Sequence, residues 1–359
     1  MLDDITSKRI TSIRFILAVL VVAIHSYPNL YIAGEHVFSR LSTWTSYFLR
    51  GDGGITSCAV PTFFFFSGYL QFVKGNEYRN ILRKRVHTIL IPYFLWISIY
   101  IIVLFIIQTF VGVGFAQNSS GDVIKNWSVV DWLGAYVGYG RSTGKPIIAP
   151  LWFLRDLMML IIISPIIKRI FRYKKIKYLY FIVLFILFVL NVDLYVFHSA
   201  SLFWFSIGSY CGFIKFLFFE FCDRFNWCIL VTLFSFLFVI NHTLMGDSFI
   251  SLNAFISIIC VLMILKLSGF IIKNEPLWQA LKKLDRYTFF IYCFHDPFVI
   301  AILNRTWCRI FPIGGVFDVI NQFLPIVLCT LISLCVAIIL EKVFPAVFLM
   351  LIGNRKNTL

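Results

Sequence analysis

Ten predominantly apolar stretches, each near the length that crosses a bilayer, follow one another along this chain of 359 residues. They lie at about 10–30, 55–73, 88–111, 150–167, 178–196, 199–219, 226–242, 248–266, 286–306 and 322–350, separated by charged or Gly- and Asn-containing breaks. A helix rising 1.5 Å per residue needs about 20 apolar residues to cross the hydrocarbon core, and within lipid it satisfies its own backbone. The succession therefore predicts an all-α polytopic membrane protein with about ten transmembrane helices. Composition agrees, because 60% of residues are apolar and only 14% charged, against roughly half and a quarter in soluble domains.

The net charge of +15 orients the chain. With the N-terminus inside, the segments expected in the cytoplasm hold 22 of the 32 basic residues and the outside loops seven; Arg14, Arg155 and Lys342 fall within spans. That asymmetry predicts both termini in the cytoplasm. The basic clusters are short and regularly placed between apolar blocks, so they read as topology signals and not as a nucleic-acid surface. Met1 to Arg9 contains two acidic residues and the first block runs into His25 without a small-residue cleavage site, so the first span is expected to stay. The nine cysteines fall mostly in spans without a paired spacing, so neither a disulfide framework nor a metal site is expected.

The whole chain, 1–359, is expected to form one transmembrane domain without an appended soluble one. Its longest polar stretch, about 112–149, is an outside loop. It interleaves seven glycines with Trp127, Trp132, Tyr136 and Tyr139. A loop of that length is usually functional or disordered, and aromatics in it either anchor at the interface, the commoner case, or stack on a sugar ring.

Chemistry is to be sought among polar residues that are costly where they sit. The first span carries Arg14 and His25. Eleven steps of about 100° bring them back to one helix face, about 16 Å apart along the axis. A cation at one end and a titratable base at the other suit a long anionic substrate whose reactive end must reach across the membrane. Equally, Arg14 can snorkel as an anchor while His25 caps a kink before Pro28.

Further along stand Phe63-Phe-Phe-Phe-Ser-Gly-Tyr-Leu70, the basic run Arg83-Lys84-Arg85 followed by Ile91-Pro-Tyr93, Leu151-Trp-Phe-Leu-Arg-Asp-Leu157, and Thr288-Phe-Phe-Ile-Tyr-Cys-Phe-His295. With the Arg14/His25 pair, these five elements in this order resemble the integral-membrane acyltransferases of acyltransferase family three, which include polysaccharide and O-antigen O-acetyltransferases. The likeness runs from about residue 8 to about 350. One departure is that the Arg-x-x-Arg often found in the family's basic loop is not completed here, since Thr88 stands three after Arg85.

The resemblance implies a multi-pass protein of a bacterial inner membrane that moves an acyl group, acetyl before others, from cytoplasmic acyl-CoA to a glycan hydroxyl. The donor is a substrate, and no permanently bound cofactor is implied. Arg14, Arg85 and either Arg83 or Lys84 are the expected donor contacts. His25 is the expected catalytic base. Glu35 and Asp52 are candidates to orient it, and Ser67, Trp152 and Tyr292 are polar groups matched to the family and expected near the reacting carbonyl. Arg155 with Asp156 either binds substrate or forms a structural pair between helices. His295 is either a second catalytic histidine or, more commonly for such a residue, a hydrogen-bonded structural one. His36, His87, His198 and His242 are expected in solvated positions. Gly208-x-x-x-Gly212 reads as a close helix contact. A transporter of lipid-linked glycans would share the basic, polytopic character, but would more often show two related halves.

Overall fold

The computed structural model describes residues 3–26, 40–73, 77–112, 123–139, 141, 144–192, 194, 197–245, 252–311 and 316–355. Among these, helices alone form the architecture, and no strand occurs. In chain order they are α1 (Asp4–Ile24), α2 (Arg40–Leu49), α3 (Ala59–Val73), α4 (Tyr78–Arg85), α5 (Ile91–Phe110), α6 (Val129–Val137), α7 (Trp152–Arg172), α8 (Lys174–Val189) and α9 (Ser199–Phe213). There follow α10 (Phe218–Asp223), α11 (Trp227–Ile240), α12 (Asn253–Lys273), α13 (Glu275–Asp285), α14 (Thr288–Phe294), α15 (Ile300–Ile310), α16 (Val316–Val343) and α17 (Pro345–Leu351).

Among the described residues, five helices are long and apolar enough to cross a membrane: Tyr78–Phe110, Ala149–Arg172, Trp227–Leu244, Asn253–Lys273 and Phe317–Val343. A sixth arises if Glu275–Asp285 and Thr288–Asn304, bent by 53°, count as one span. The chain is thus a polytopic membrane protein. The remaining apolar blocks also form helices, but they miss the measure for physical reasons. α1 keeps Lys8, Arg9 and Arg14 inside every 18-residue stretch, whereas α3, α8 and α9 have only 15, 16 and 15 residues. Two expected spans are interrupted. The block at 286–306 breaks at Asp296, whose extended backbone (φ −133°, ψ 130°) leaves the helix. The block at 322–350 breaks at Phe344, just before Pro345, where α16 hands over to α17.

α1 is central. Asp3 starts it by accepting from the Thr6 N–H at 2.7 Å, and α3, α12, α13, α14 and α16 all pack against it. Ile10, Ile13, Leu17 and Val22 are fully buried, as expected of a helix enclosed on all sides. Arg9, expected only as a topology marker, lies inside the bundle. Its guanidinium grips both Asp223 oxygens (2.6 and 2.8 Å), donates to Ser268 Oγ and the Leu265 carbonyl, and lies over the Phe219 ring. Every donor face is used, so this residue ties α1 to α12 and to the short α10.

The tightest helix pair is α3 with α9. A Cβ at Gly208 would come 2.0 Å from the Phe65 carbonyl oxygen, one at Gly68 would come 2.2 Å from that of Phe205, and one at Gly212 would come 2.6 Å from that of Tyr69. The expected close contact through Gly208 and Gly212 is therefore present, with Gly68 answering it from the partner helix.

The basic run Arg83 to Arg85, expected as a loop, is helical. α4 continues through a π-helical turn at Val86–Leu90 into α5, giving one helix from Tyr78 to Phe110. The 112–149 stretch, expected as an outside loop, contains a short helix. Ser128 and Asp131 form a reciprocal capping box that starts α6, and Gly138 ends it in the left-handed conformation.

Candidate functional site

Two clusters lie along α1, one at its midpoint and one at its C-terminal end. At the midpoint, Arg14 is ion-paired with Asp285, the last residue of α13. Arg85 and Arg355 stand close enough for their charges to act on one another, and Arg14 and Asp285 act on Arg355 in the same way. Burial, followed by the neighbouring Arg85 and Arg14 cations, pulls the Arg355 pKa below the usual arginine value, against the partial help of Cys293 and Asp285. Arg14 and Arg355 thus both act on the Asp285 carboxylate, with the Arg85 guanidinium close to Arg355, and this excess of positive charge favours an incoming anion.

The position of Arg355 follows from a proline. Pro92 has no N–H to offer the carbonyl four residues back, which is that of Thr88. Arg355 Nη2 donates to that carbonyl at 3.0 Å, while its guanidinium lies 3.6 Å from the centroid of the Phe289 ring. Gly353 makes the approach feasible, because it adopts φ +70° and a Cβ there would meet the Thr88 oxygen at 2.7 Å. Trp96 adds a hydrogen bond from its Nε1 to the Leu351 carbonyl.

At the far end, His25 closes α1 as its C-cap residue, and its carbonyl accepts from Asn304 Nδ2 at 3.4 Å. Its ring faces that of His295, with centroids 5.3 Å apart and planes tilted by 51°. Val22, Ala23, Ile291, Val299, Ile300, Ile326 and Cys329 pack into an apolar cluster around this meeting point. His295 is fully buried; its Nδ1 is 2.7 Å from the Tyr292 carbonyl and 3.2 Å from that of Ile291. Because Arg14 pairs with Asp285 and His25 with His295, α1 and the 285–295 segment run side by side in the same direction.

The chain before α7 reaches over this end. Tyr292 donates its hydroxyl to the Pro150 carbonyl. Arg155 Nη1 donates to the carbonyls of Val137 and Gly144, both at 2.9 Å, and Lys145, the next residue, comes within electrostatic range of His25. Arg155 also reaches one oxygen of Asp156. The other oxygen of this fully buried carboxylate receives the His198 N–H and Ser201 Oγ and faces His198 Nδ1, each at 3.1 Å. His198, expected to be solvated, is instead held against Asp156 and beside the Trp152 ring, at 4.3 Å between centroids. The pair therefore acts largely as a junction of α7, α9 and the loop, which is the structural alternative for Arg155 and Asp156.

The other expected residues are spread out. Arg83 and Lys84 are exposed on the last turn of α4, whereas Arg85 is half-buried. The Ser67 hydroxyl donates to the Phe63 carbonyl within its own helix, and no described contact joins it to His25. Trp152 is half-buried against Phe64 and His198. Asp52 is exposed and has no described contact with His25; Glu35 and His36 lie outside the described residues, while His87 is exposed. His242 is stacked on Tyr47 at 4.5 Å and is not fully solvated. Sequence reasoning missed Arg355 as part of a site. The one signal for it was Pro92, which leaves an unsatisfied carbonyl beside a basic run.

Comparisons with known proteins bear on this arrangement. The family model described as an acyltransferase domain matches residues 8–342. A curated relative, the succinoglycan biosynthesis protein ExoH of Rhizobium meliloti (strain 1021), is 26% identical over 183 residues, covering 50% of this chain and 47% of that protein. The match thus spans about half the length of that relative. No solved structure matches.

Proposed function

The chain belongs to the acyltransferase-domain family, and on that premise we propose that it transfers an acyl group, acetyl first, from cytoplasmic acyl-CoA to a hydroxyl of a cell-surface glycan or its lipid-linked precursor. The observation that carries this reading is the polarity of the second half of α1, with a guanidinium cluster at its midpoint and a histidine pair at its C-terminal end. About 16 Å of helix separates Arg14 from His25, a span suited to an extended donor whose charged part and reactive thioester must be held at different depths. The relation to a succinoglycan biosynthesis protein supports a polysaccharide acceptor.

In this reading ten helices cross the inner membrane of a bacterium, both termini are cytoplasmic, and the basic end faces the cytoplasm. The phosphates of the donor enter from that side. Arg14, Arg85 and Arg355 hold them by charge-assisted hydrogen bonds, with Arg83 and Lys84 drawing the anion in from the surface. The thioester lies near His25. His25 accepts the proton of the attacking hydroxyl as the C–O bond forms, and returns it to the thiolate as the C–S bond breaks. Tyr292 and Arg155 hold the 144–151 segment over the reacting end, and with Trp152, packed on His198, they shape the acceptor side.

The test uses membranes carrying the full chain, labelled acetyl-CoA and glycan acceptor. Label should pass to the glycan, and His25→Ala should abolish the transfer. Unchanged acetylation in that variant would overturn the mechanism, and lost glycan export with acetylation intact would favour a transporter.

A further inference from the structure

His25 lacks a described carboxylate partner to fix its tautomer, although a histidine acting as a base usually has its second nitrogen held by an acceptor. Among the described residues, the one ring against it is that of His295. Backbone carbonyls only accept, so the 2.7 Å contact between His295 Nδ1 and the Tyr292 carbonyl assigns the proton of a neutral ring to Nδ1. Nε2 then carries the lone pair. It is buried, and among the described residues it has no hydrogen-bond partner. A buried acceptor without a partner is costly, so its occurrence in a well-packed apolar cluster calls for a use.

We propose that His295 is the positioning residue for His25, its Nε2 accepting the hydrogen bond from the ring N–H of His25. The two rings face each other with centroids 5.3 Å apart and no direct hydrogen bond between them, so a turn of the His25 ring or one bridging hydroxyl closes the contact. The contact leaves the lone pair on the other His25 nitrogen, turned to the acceptor hydroxyl. This rests on the proposed acyl transfer and deepens it. During the reaction the hydroxyl proton passes to His25, the C–O bond forms, the C–S bond breaks, and the thiolate takes the proton from His25. His295 neither gains nor loses a proton over the cycle. A neutral imidazole suits this apolar position, where an ionised carboxylate would be heavily penalised by desolvation.

The geometry of His295 supplies its own test. The amide of glutamine extends about as far as Nε2, whereas that of asparagine stays near Nδ1 and can still donate to the Tyr292 carbonyl. His295→Gln, His295→Asn and His25→Ala are compared in the full-length protein in membranes, with kcat and the KM for acetyl-CoA measured at saturating glycan. The expectation is that His295→Gln retains clearly more kcat than His295→Asn, which falls by about 100-fold or more, while KM for acetyl-CoA stays within about twofold, because the donor's charged end is held elsewhere. A purely structural His295 gives the reverse order, since only asparagine preserves the bond to its own helix. That order, or two variants with wild-type kcat, would overturn the proposal. Activity surviving in His25→Ala would instead overturn the acyl-transfer reading, so the two failures are distinguishable.

Discussion

Arg14 of α1 is ion-paired with Asp285 of α13, and the two residues precede by eleven and ten positions the histidines that meet at the other end of the same packed segments. The pairing makes Arg14 both a structural partner and an anion-binding candidate, and the two roles are separable by mutation. Arg14→Ala leaves the largely buried Asp285 carboxylate without its ion-paired partner and with only the unbonded Arg355 charge near it, at a cost of about 3 kcal/mol. The double change Arg14→Met with Asp285→Leu removes both charges and is expected to restore thermal stability in detergent to near wild type. Its KM for acetyl-CoA should nevertheless remain raised by about tenfold, the loss of one charge-assisted contact. Recovery of donor affinity along with stability would reduce Arg14 to a structural residue.

Arg355 and Gly353 should act together. Arg355→Ala removes one of three guanidiniums and is expected to raise KM for acetyl-CoA by about tenfold with little change in kcat. Gly353→Ala should give the same pattern while leaving the guanidinium in the sequence, because its Cβ would press on the Thr88 backbone at a position that requires a positive φ. Both variants should also steepen the loss of donor binding less with added salt than wild type does, since fewer charges meet the donor. A normal KM in Arg355→Ala would leave the tail a packing element only.

The elements legible in the sequence were those whose information is local. The 3.6-residue period placed Arg14 and His25 on one face of a helix, and the Gly208/Gly212 spacing announced a close helix contact that the backbone approach to Phe65 and Tyr69 fulfils. What was not legible depends on residues far apart in the chain. Asp285 and His295 lie some 270 residues from their partners on α1, and nothing in either segment alone says which helix it meets. His198 read as solvated because it falls in the break between the expected spans 178–196 and 199–219, yet Asp156 reaches it from 42 residues away. Hydropathy located the 286–306 block, but not its break, because Asp296 leaves helical geometry inside an otherwise apolar run. Charge likewise made 83–85 look like a loop, although Arg and Lys are good helix formers and simply extend α5 toward its basic end.

The α3–α9 contact should be intolerant of any side chain. Gly208→Ala would bring a Cβ to 2.0 Å from a backbone oxygen, and a backbone cannot yield as a flexible side chain does. Separation of the two helices is expected to cost about 2 to 3 kcal/mol or more, seen as reduced yield of folded protein and a lower detergent Tm. Gly51→Ala serves as the comparison, because its nearest neighbour is the movable Ile24 side chain at 3.3 Å; it should stay within about 1 kcal/mol of wild type. Equal behaviour of the two variants would mean that α3 and α9 separate easily.

Arg155 should affect the acceptor and not the donor. Its guanidinium bonds two loop carbonyls and a fully buried carboxylate at once, a geometry that a fork of planar donors meets and a single ammonium does not. Arg155→Lys is therefore expected to release the 138–148 segment, giving faster limited proteolysis there in membranes. With the segment loosened, the acceptor side of the site loses its shape, so kcat/KM for glycan should fall by about tenfold or more while KM for acetyl-CoA stays close to wild type. The His198 contact with Asp156 would persist in this variant, keeping α7 joined to α9. A raised donor KM with unaltered proteolysis would move Arg155 from the acceptor side of the site to the donor side.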